Sequence, residues 1–226
     1  MSPISRPEQK ILDRQKMIAK STRALRTSDE EFEAAFKILR KHPKRVTFFG
    51  SARTEPGEKY YDLAREMAAA ISAEDFAIMS GGGGGIMEAS DRGAYEADDV
   101  AIGFNIKLPM EQKLNAYTTE KVTFNYFFTR KVMMTFYAHA FICFPGGFGT
   151  LDEFFEVITL MQTNKMPKVP VILVGDTFWG DLDKYMRKNM LETGLISPGD
   201  EELYTITEDI ALVKKIILKS YQKHGM

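Results

Sequence analysis

The sequence predicts an α/β fold: a doubly wound, mainly parallel sheet of the Rossmann-like kind, flanked by helices and carrying an N-terminal helical extension. Three observations predict it. From Arg45 onward, short β-branched and aromatic runs alternate with helical stretches. Those runs are apolar without polar alternation, the pattern of strands buried on both faces. Three of them end in glycine-containing turns, Gly50-Ser51, Gly81 to Gly85 and Gly146-Gly147, and in such sheets ligands bind beyond the C-terminal strand ends.

The elements follow in order. Residues 1–42 read as a charged, helical arm. Ser28-Asp29-Glu30-Glu31 fits a capping box, with the Ser28 hydroxyl and the Glu31 carboxylate taking orphan amides of the first turn. Phe32, Phe36 and Leu39 then recur at helical spacing and should lay one apolar stripe on the body. Residues 43–226 read as a single domain. Its first strand is Arg45 to Phe49, followed by a helix from about Gly57 to Ala73 with Tyr61, Ala64, Met67 and Ala68 on one face. Phe76 to Met79 is the second strand, and a helix from about Ile86 to Ala97 leads to the third, Val100 to Phe104. Lys121 to Phe124 is a short strand, and a helix starts at about Thr129. The strand Phe141 to Phe144, a helix to about Met161, the strand Val169 to Val174 and two more helices complete the chain. Right-handed crossovers make this pattern doubly wound.

Composition narrows the function. With 226 residues the chain suffices for one substantial core. Lys+Arg (30) nearly balances Asp+Glu (31), so no global field recruits nucleic acid or an anionic membrane. The one cysteine, Cys143, lies in an apolar run and reads as a small core residue, and it excludes an intrachain disulfide. No cluster of His, Asp and Glu has metal-ligand spacing, and of the three histidines only His139 lies near a motif, as a structural residue beside a strand. Met1 to Lys10 is polar with two prolines, and no run approaches the ~18 apolar residues of a membrane helix. The expected location is the cytoplasm.

Three segments carry chemistry. Ser80-Gly81-Gly82-Gly83-Gly84-Gly85-Ile86 joins a strand to a helix, where free amides and the helix dipole suit a phosphate. It is not a P-loop, because no Gly-Lys-Ser/Thr follows, and by itself it points to phosphate and little more. Pro145-Gly146-Gly147-Phe148-Gly149-Thr150-Leu151-Asp152-Glu153 again joins strand to helix, with Asp152 and Glu153 placed in the first helical turn. The dipole alone favours acids there; beside a phosphate, however, a carboxylate is repulsive unless it contacts another part of a ligand, such as sugar hydroxyls. In Thr129-Arg130-Lys131-Val132-Met133-Met134, Arg130 and Met134 share a helix face. That Arg either pairs with Glu153 or a phosphate, or is simply solvated.

Taken together, these segments resemble the LONELY GUY family, and Asn125-Tyr126-Phe127-Phe128 ahead of Arg130 is similar to its bacterial branch. Members are phosphoribohydrolases of nucleoside 5′-monophosphates, including cytokinin riboside monophosphates, and many have carried a lysine decarboxylase label. The resemblance runs from about Arg45 to the last helix and covers the arm least. It implies an enzyme that cleaves the N-glycosidic bond of AMP-like or cytokinin riboside monophosphates to free base and ribose 5-phosphate, without metal or cofactor. It assigns Arg130 and Glu153 as the catalytic pair and Gly82, Gly83, Gly146, Gly147, Gly149 and Thr150 as the phosphate cradle, with Ser51 at the first strand end. Met134 falls where the family packs the base, and Met134 with Phe148 implies an apolar slot. The resemblance also implies a homodimer, for which the helix around Phe154, Phe155, Ile158 and Leu160 offers a surface, or else core. Two positions depart from the family pattern: Gly84 stands where many relatives have Pro, and Asp152 where plant-type members have Glu. A nucleotide-binding sensor or carrier on the same fold is the alternative function. A lysine decarboxylase would need a lysine to bear pyridoxal phosphate and a pocket to hold it.

Overall fold

The computed structural model describes residues 28–108 and 113–224. The arm before Ser28 lies outside the described residues. Helix α1 spans residues 28–39, and strand β1 is Arg45–Phe49. There follow α2 (Lys59–Ser72), β2 (Ala77–Ser80), α3 (Ile86–Glu96), β3 (Ala101–Ile106), β4 (Glu120–Phe124), α4 (Phe127–Thr135) and β5 (Ala140–Cys143). The chain continues through α5 (Phe148–Gln162), β6 (Val171–Leu173), α6 (Asp176–Met186), β7 (Thr205–Ile206) and α7 (Ile210–His224).

The seven strands form one sheet in the order β4-β3-β2-β1-β5-β6-β7, and every neighbouring pair is parallel. The chain builds outward from β1 to β4 and then returns to the other side of β1. The winding therefore reverses between β1 and β5, which pair from Val46↔Ala140 to Phe49↔Cys143. Both faces of the sheet are covered. Phe49, Met79, Phe104 and Phe141 pack against α1, α4, α5 and α6, whereas Val46, Phe48, Ile78 and Ile142 pack against α2, α3 and α7. This explains why β1, β2, β3 and β5 are buried at every position and why their sequences do not alternate.

Several expectations are refined. The strand expected at Val169 to Val174 keeps only its middle, Val171–Leu173, and β7 has two residues, too few for any periodicity. Phe32, Phe36 and Leu39 do pack on the body. Glu31, however, takes partners well beyond α1. It is 5% exposed, and its carboxylate accepts hydrogen bonds from the Asn125 amide, the Asn125 side chain and the Thr129 hydroxyl. Burial decides this, because a carboxylate turned into the protein must find donors there.

Helices α2 and α3 cross closely enough that a Cβ on Gly93 would stand 2.2 Å from the Arg65 carbonyl oxygen and 2.9 Å from Ala68 Cβ. Gly93→Ala should therefore destabilise the protein by about 1–3 kcal/mol despite the better helix propensity of Ala. Urea unfolding would show this as a lower midpoint at an unchanged slope.

Candidate active site

Three strand-to-helix turns meet at the C-terminal edge of the sheet. The Ser51 amide donates to the Pro145 carbonyl (3.0 Å), and the Ile86 amide donates to the Ser51 carbonyl (2.9 Å), so the β1 turn is stitched to the starts of both α3 and α5. Gly146 carries no side chain because Thr150 Oγ1 lies 2.2 Å from where its Cβ would be. Between residues 50–53 and residues 147–150 opens a cleft of about 590 Å³. It sits at the point where the winding reverses, beside the N-terminus of α5, whose cap is Gly147. The first-turn amides and the positive end of a 15-residue helix give this cleft the local chemistry that suits an anion.

Arg130 and Glu153 lie together in the protein, their side chains 9% and 17% exposed, with Nη1 and Oε1 3.9 Å apart. Arg130 reaches this position from the fourth residue of α4, and its Nε donates to the Phe104 carbonyl of β3 at 2.8 Å. Its guanidinium lies over Gly81, where a Cβ would meet Nη2 at 2.2 Å. The five-glycine turn thus makes room for a cation as well as for a ligand. Burial pushes the Glu153 carboxyl up to about 7; Arg130 and Lys131 oppose the rise, and Asp152 and Glu156 add to it. Burial also lowers the pKa of Arg130, and Glu153 counters that. The Cys143 thiol is pushed up by burial first and then by Glu153, which marks it as an inert core residue at 1% exposure.

Helix α5 begins at Phe148, so Asp152 and Glu153 stand one turn further in than the sequence implied. Their side chains part. Asp152 pairs with Lys131 (2.8 Å), which also pairs with Glu156 (2.9 Å), while Glu153 faces Arg130. That removes the expected clash between an acid and a phosphate.

The structure gathers most of the remaining expected residues. Ser51, Gly147, Gly149 and Thr150 line the cleft, and Gly146 lies beneath Thr150. Gly82 and Gly83 are buried and are not among the cleft's lining residues. The Gly82 amide donates to Ser80 Oγ (2.9 Å), and the carbonyls of Gly82 and Gly83 accept from Asn115. Met134 lies elsewhere: it is 1% exposed in the core, and its carbonyl accepts from Thr47 Oγ1. Sharing a helix face with Arg130 put it there, because that face is turned inward. His139 accepts the Arg45 amide on Nδ1 (3.2 Å), and burial lowers its pKa to about 4, as befits a structural residue.

Two features escaped the sequence. Asp91, fully buried on α3, accepts from Ser80, Asn115 and Thr118 and so ties the glycine turn to residues 115–118. Burial pushes its carboxyl up to about 7 against those hydrogen bonds. Its signal was a lone acid on the stripe that carries Ile86, Ala89, Ser90 and Ala94. The second is Arg53, an exposed cation on the cleft rim. Among the described residues no three His, Cys, Asp or Glu side chains cluster as metal ligands, and no helix is long and apolar enough to cross a membrane.

Fold and site together define a Rossmann-like α/β protein with a cleft at its switch point, beside a helix N-terminus. The model of the family described as "Possible lysine decarboxylase" matches residues 87–217, and the chain belongs to that family, the LONELY GUY family of the motifs above. It is 29% identical over 171 residues to "Cytokinin riboside 5′-monophosphate phosphoribohydrolase" of Rhodococcoides fascians, covering 74% of this chain and 86% of that one. An Arabidopsis thaliana protein described as a probable enzyme of the same name is 30% identical, covering 69% and 78%. In fold the chain is similar to the molybdenum cofactor carrier protein of Chlamydomonas reinhardtii (TM-score 0.59, 18% identity, covering 79% and 98%). It is also similar to the structural-genomics protein TM1055 (TM-score 0.59, 21% identity, covering 78% and 99%).

The raised Glu153 carboxyl has a consequence for stability. A folded-state pKa above the unfolded one means that the folded form holds the proton more tightly, so Glu153 costs stability as pH rises from about 4.5 to about 7. Glu153→Gln should leave stability unchanged at pH 4 and raise it at pH 8 by on the order of 2–3 kcal/mol. Denaturant unfolding at the two pH values measures the difference.

Proposed function

We propose that the protein is a nucleoside 5′-monophosphate phosphoribohydrolase, releasing free base and ribose 5-phosphate, with Arg130 and Glu153 as its catalytic pair. The observation that carries this is the shielded Arg130–Glu153 pair, with Glu153 one helical turn along α5 from the cleft residues Gly149 and Thr150. The names of the relatives point the same way. The 5′-phosphate occupies the cleft of Ser51, Gly147, Gly149 and Thr150, with Gly146 and the glycine turn of Gly82 and Gly83 shaping it from behind. Phosphate binding then fixes the ribose, a remote handle whose binding energy serves the reacting centre.

In the reaction the bond between C1′ and the base nitrogen breaks and water adds to C1′ through an oxocarbenium-like state. The Glu153 carboxylate stabilises the cationic sugar and takes the proton from water as the water oxygen bonds to C1′. That proton is then passed on to the departed base, directly or through solvent, which returns Glu153 to its ionised form. Arg130 holds Glu153 and keeps its ionised form within reach despite burial. Phe148, 93% exposed at the rim, offers the base an apolar face, whereas Met134 supports α4 from the core. The proposal includes a homodimer: Phe154 is core, but Phe155, Ile158 and Leu160 of α5 are only partly buried and remain for a partner.

A pyridoxal-dependent decarboxylation fits these residues poorly. The cleft lining contains no lysine, and the neighbouring Lys131 is held by two carboxylates that outweigh burial and raise its pKa.

Incubation with AMP, GMP, CMP, UMP and isopentenyladenosine monophosphate should release base and ribose 5-phosphate from at least one, with the unphosphorylated nucleosides far slower. No release from any of them would leave the binder reading standing and the hydrolase reading refuted. Glu153→Gln should lower kcat by about 10²–10⁴-fold while nucleotide binding persists. Because the carboxylate is the active form, kcat/KM should rise with pH to a plateau, with its midpoint near 7.

A further inference from the structure

We infer that Glu31, on the N-terminal helix, is a positioning residue that holds α4 so that Arg130 meets Glu153; this rests on the phosphoribohydrolase reading. Helix α4 has nine residues, and its cap residue, Tyr126, makes no side-chain capping bond. Its two ends are held from outside. At the C-terminal end Thr47 of β1 donates to the Met134 carbonyl (3.0 Å). At the N-terminal end the clamp is Glu31 of α1. Its Oε1 accepts the Asn125 amide (2.7 Å) and the Asn125 side chain (2.9 Å), and its Oε2 accepts the Thr129 hydroxyl. Thr129 is fully buried and immediately precedes Arg130.

A carboxylate this enclosed is costly unless its lone pairs are used, and here it takes three donors, all from the approach to α4 or its first turn. Its negative charge also faces the positive end of α4. Among the described residues, the guanidinium of Arg130, five residues after Asn125, is then defined by the Phe104 carbonyl, the 3.9 Å approach to Glu153 and its packing over Gly81. Loss of the clamp frees the first turn of α4 and lets Arg130 withdraw. The groups facing Glu153 are Arg130 and Lys131 from α4, Asp152 and Glu156 from its own helix, and Cys143 from β5. Withdrawal of Arg130 removes a cation from that set. Glu31 lies before residue 87, where the family match begins, as do Ser51 and the glycine turn, while its partners Asn125 and Thr129 lie within the matched segment.

The test compares Glu31→Ala, Glu31→Gln and Thr129→Val in the full chain, well below their unfolding temperatures. Gln keeps an acceptor for Asn125 and turns an amide toward the Thr129 oxygen, whose proton is then free for the Tyr126 carbonyl (2.9 Å). Glu31→Ala should lower kcat at least tenfold with KM changed less than about threefold, and move the acidic midpoint of kcat/KM upward. Thr129→Val should act in the same direction, and Glu31→Gln should retain most of the activity. A carbon-13 NMR titration of the Glu153 carboxyl provides a readout independent of turnover: its midpoint should rise in Glu31→Ala and stay in Glu31→Gln. If both Glu31→Ala and Thr129→Val lose only thermal stability, with kcat and the Glu153 midpoint as in the wild type, the positioning role is overturned. If the wild type cleaves no monophosphate, the hydrolase reading fails by itself, and the Glu153 titration still decides whether Glu31 places Arg130. Should Glu31→Ala fail to fold, Thr129→Val carries the same comparison.

Discussion

The parallel pairing of β1 with β5, Val46 to Phe49 against Ala140 to Cys143, is the constraint on which the site depends. β1 is followed by a chain that winds away from it through β2 and β3, and β5 by a chain that winds the other way. The crossover connections therefore leave to opposite sides, and a gap remains over the carboxyl ends of the two strands. Into that gap project the turn at Ser51 and the start of α5, held by a backbone bond from Ser51 to Pro145. The cleft is a product of winding direction and would exist for many sequences; what this chain adds is the chemistry along its walls.

The elements behind the cleft also hold ionisable groups that folding would otherwise avoid. Glu153 and Asp91 are carboxylates whose burial raises their pKa to about 7, and Arg130 is a guanidinium whose pKa burial lowers. Buried charges of this kind add little to stability and often reduce it. Their surroundings differ according to their work. Asp91 is surrounded by the donors Ser80, Asn115 and Thr118 and fixes the glycine turn. Glu153 faces Arg130 at 3.9 Å without a close hydrogen bond, which leaves its oxygens able to engage something else. A carboxylate poised between charged and neutral forms near neutral pH is the kind of group that moves protons.

The arm is more than an appendage to this arrangement. α1 contributes Ala35, Ile38 and Leu39 to the same core that holds Met133 and Met134 of α4 and Phe154 of α5. The helices bearing Arg130 and Glu153 thus share one packed layer with it, and Glu31 adds a polar link within that layer. Close packing makes such a layer move as a unit rather than residue by residue.

Much of this was legible in the chain. Unbroken apolar runs in β1, β2, β3 and β5 announce strands buried on both faces, and glycine-rich segments between strand and helix announce anion sites, because both follow from local chemistry. The assignment of Arg130 and Glu153 came from motif resemblance, and the structure brings the two side chains together. Three things could not be read locally. Met134 was expected at the base because the resembling family packs the base at that position, but only the packing of α4 shows that its side chain lies in the core. Glu31 fits a capping box by spacing, yet its partners lie more than ninety residues away. Gly82 looks like a free amide donor in sequence, whereas Ser80, oriented by Asp91, already occupies it. Propensity and spacing act over a few residues, so they set the elements and the residue types at their ends. Which buried donor meets which acceptor is settled only when distant elements pack.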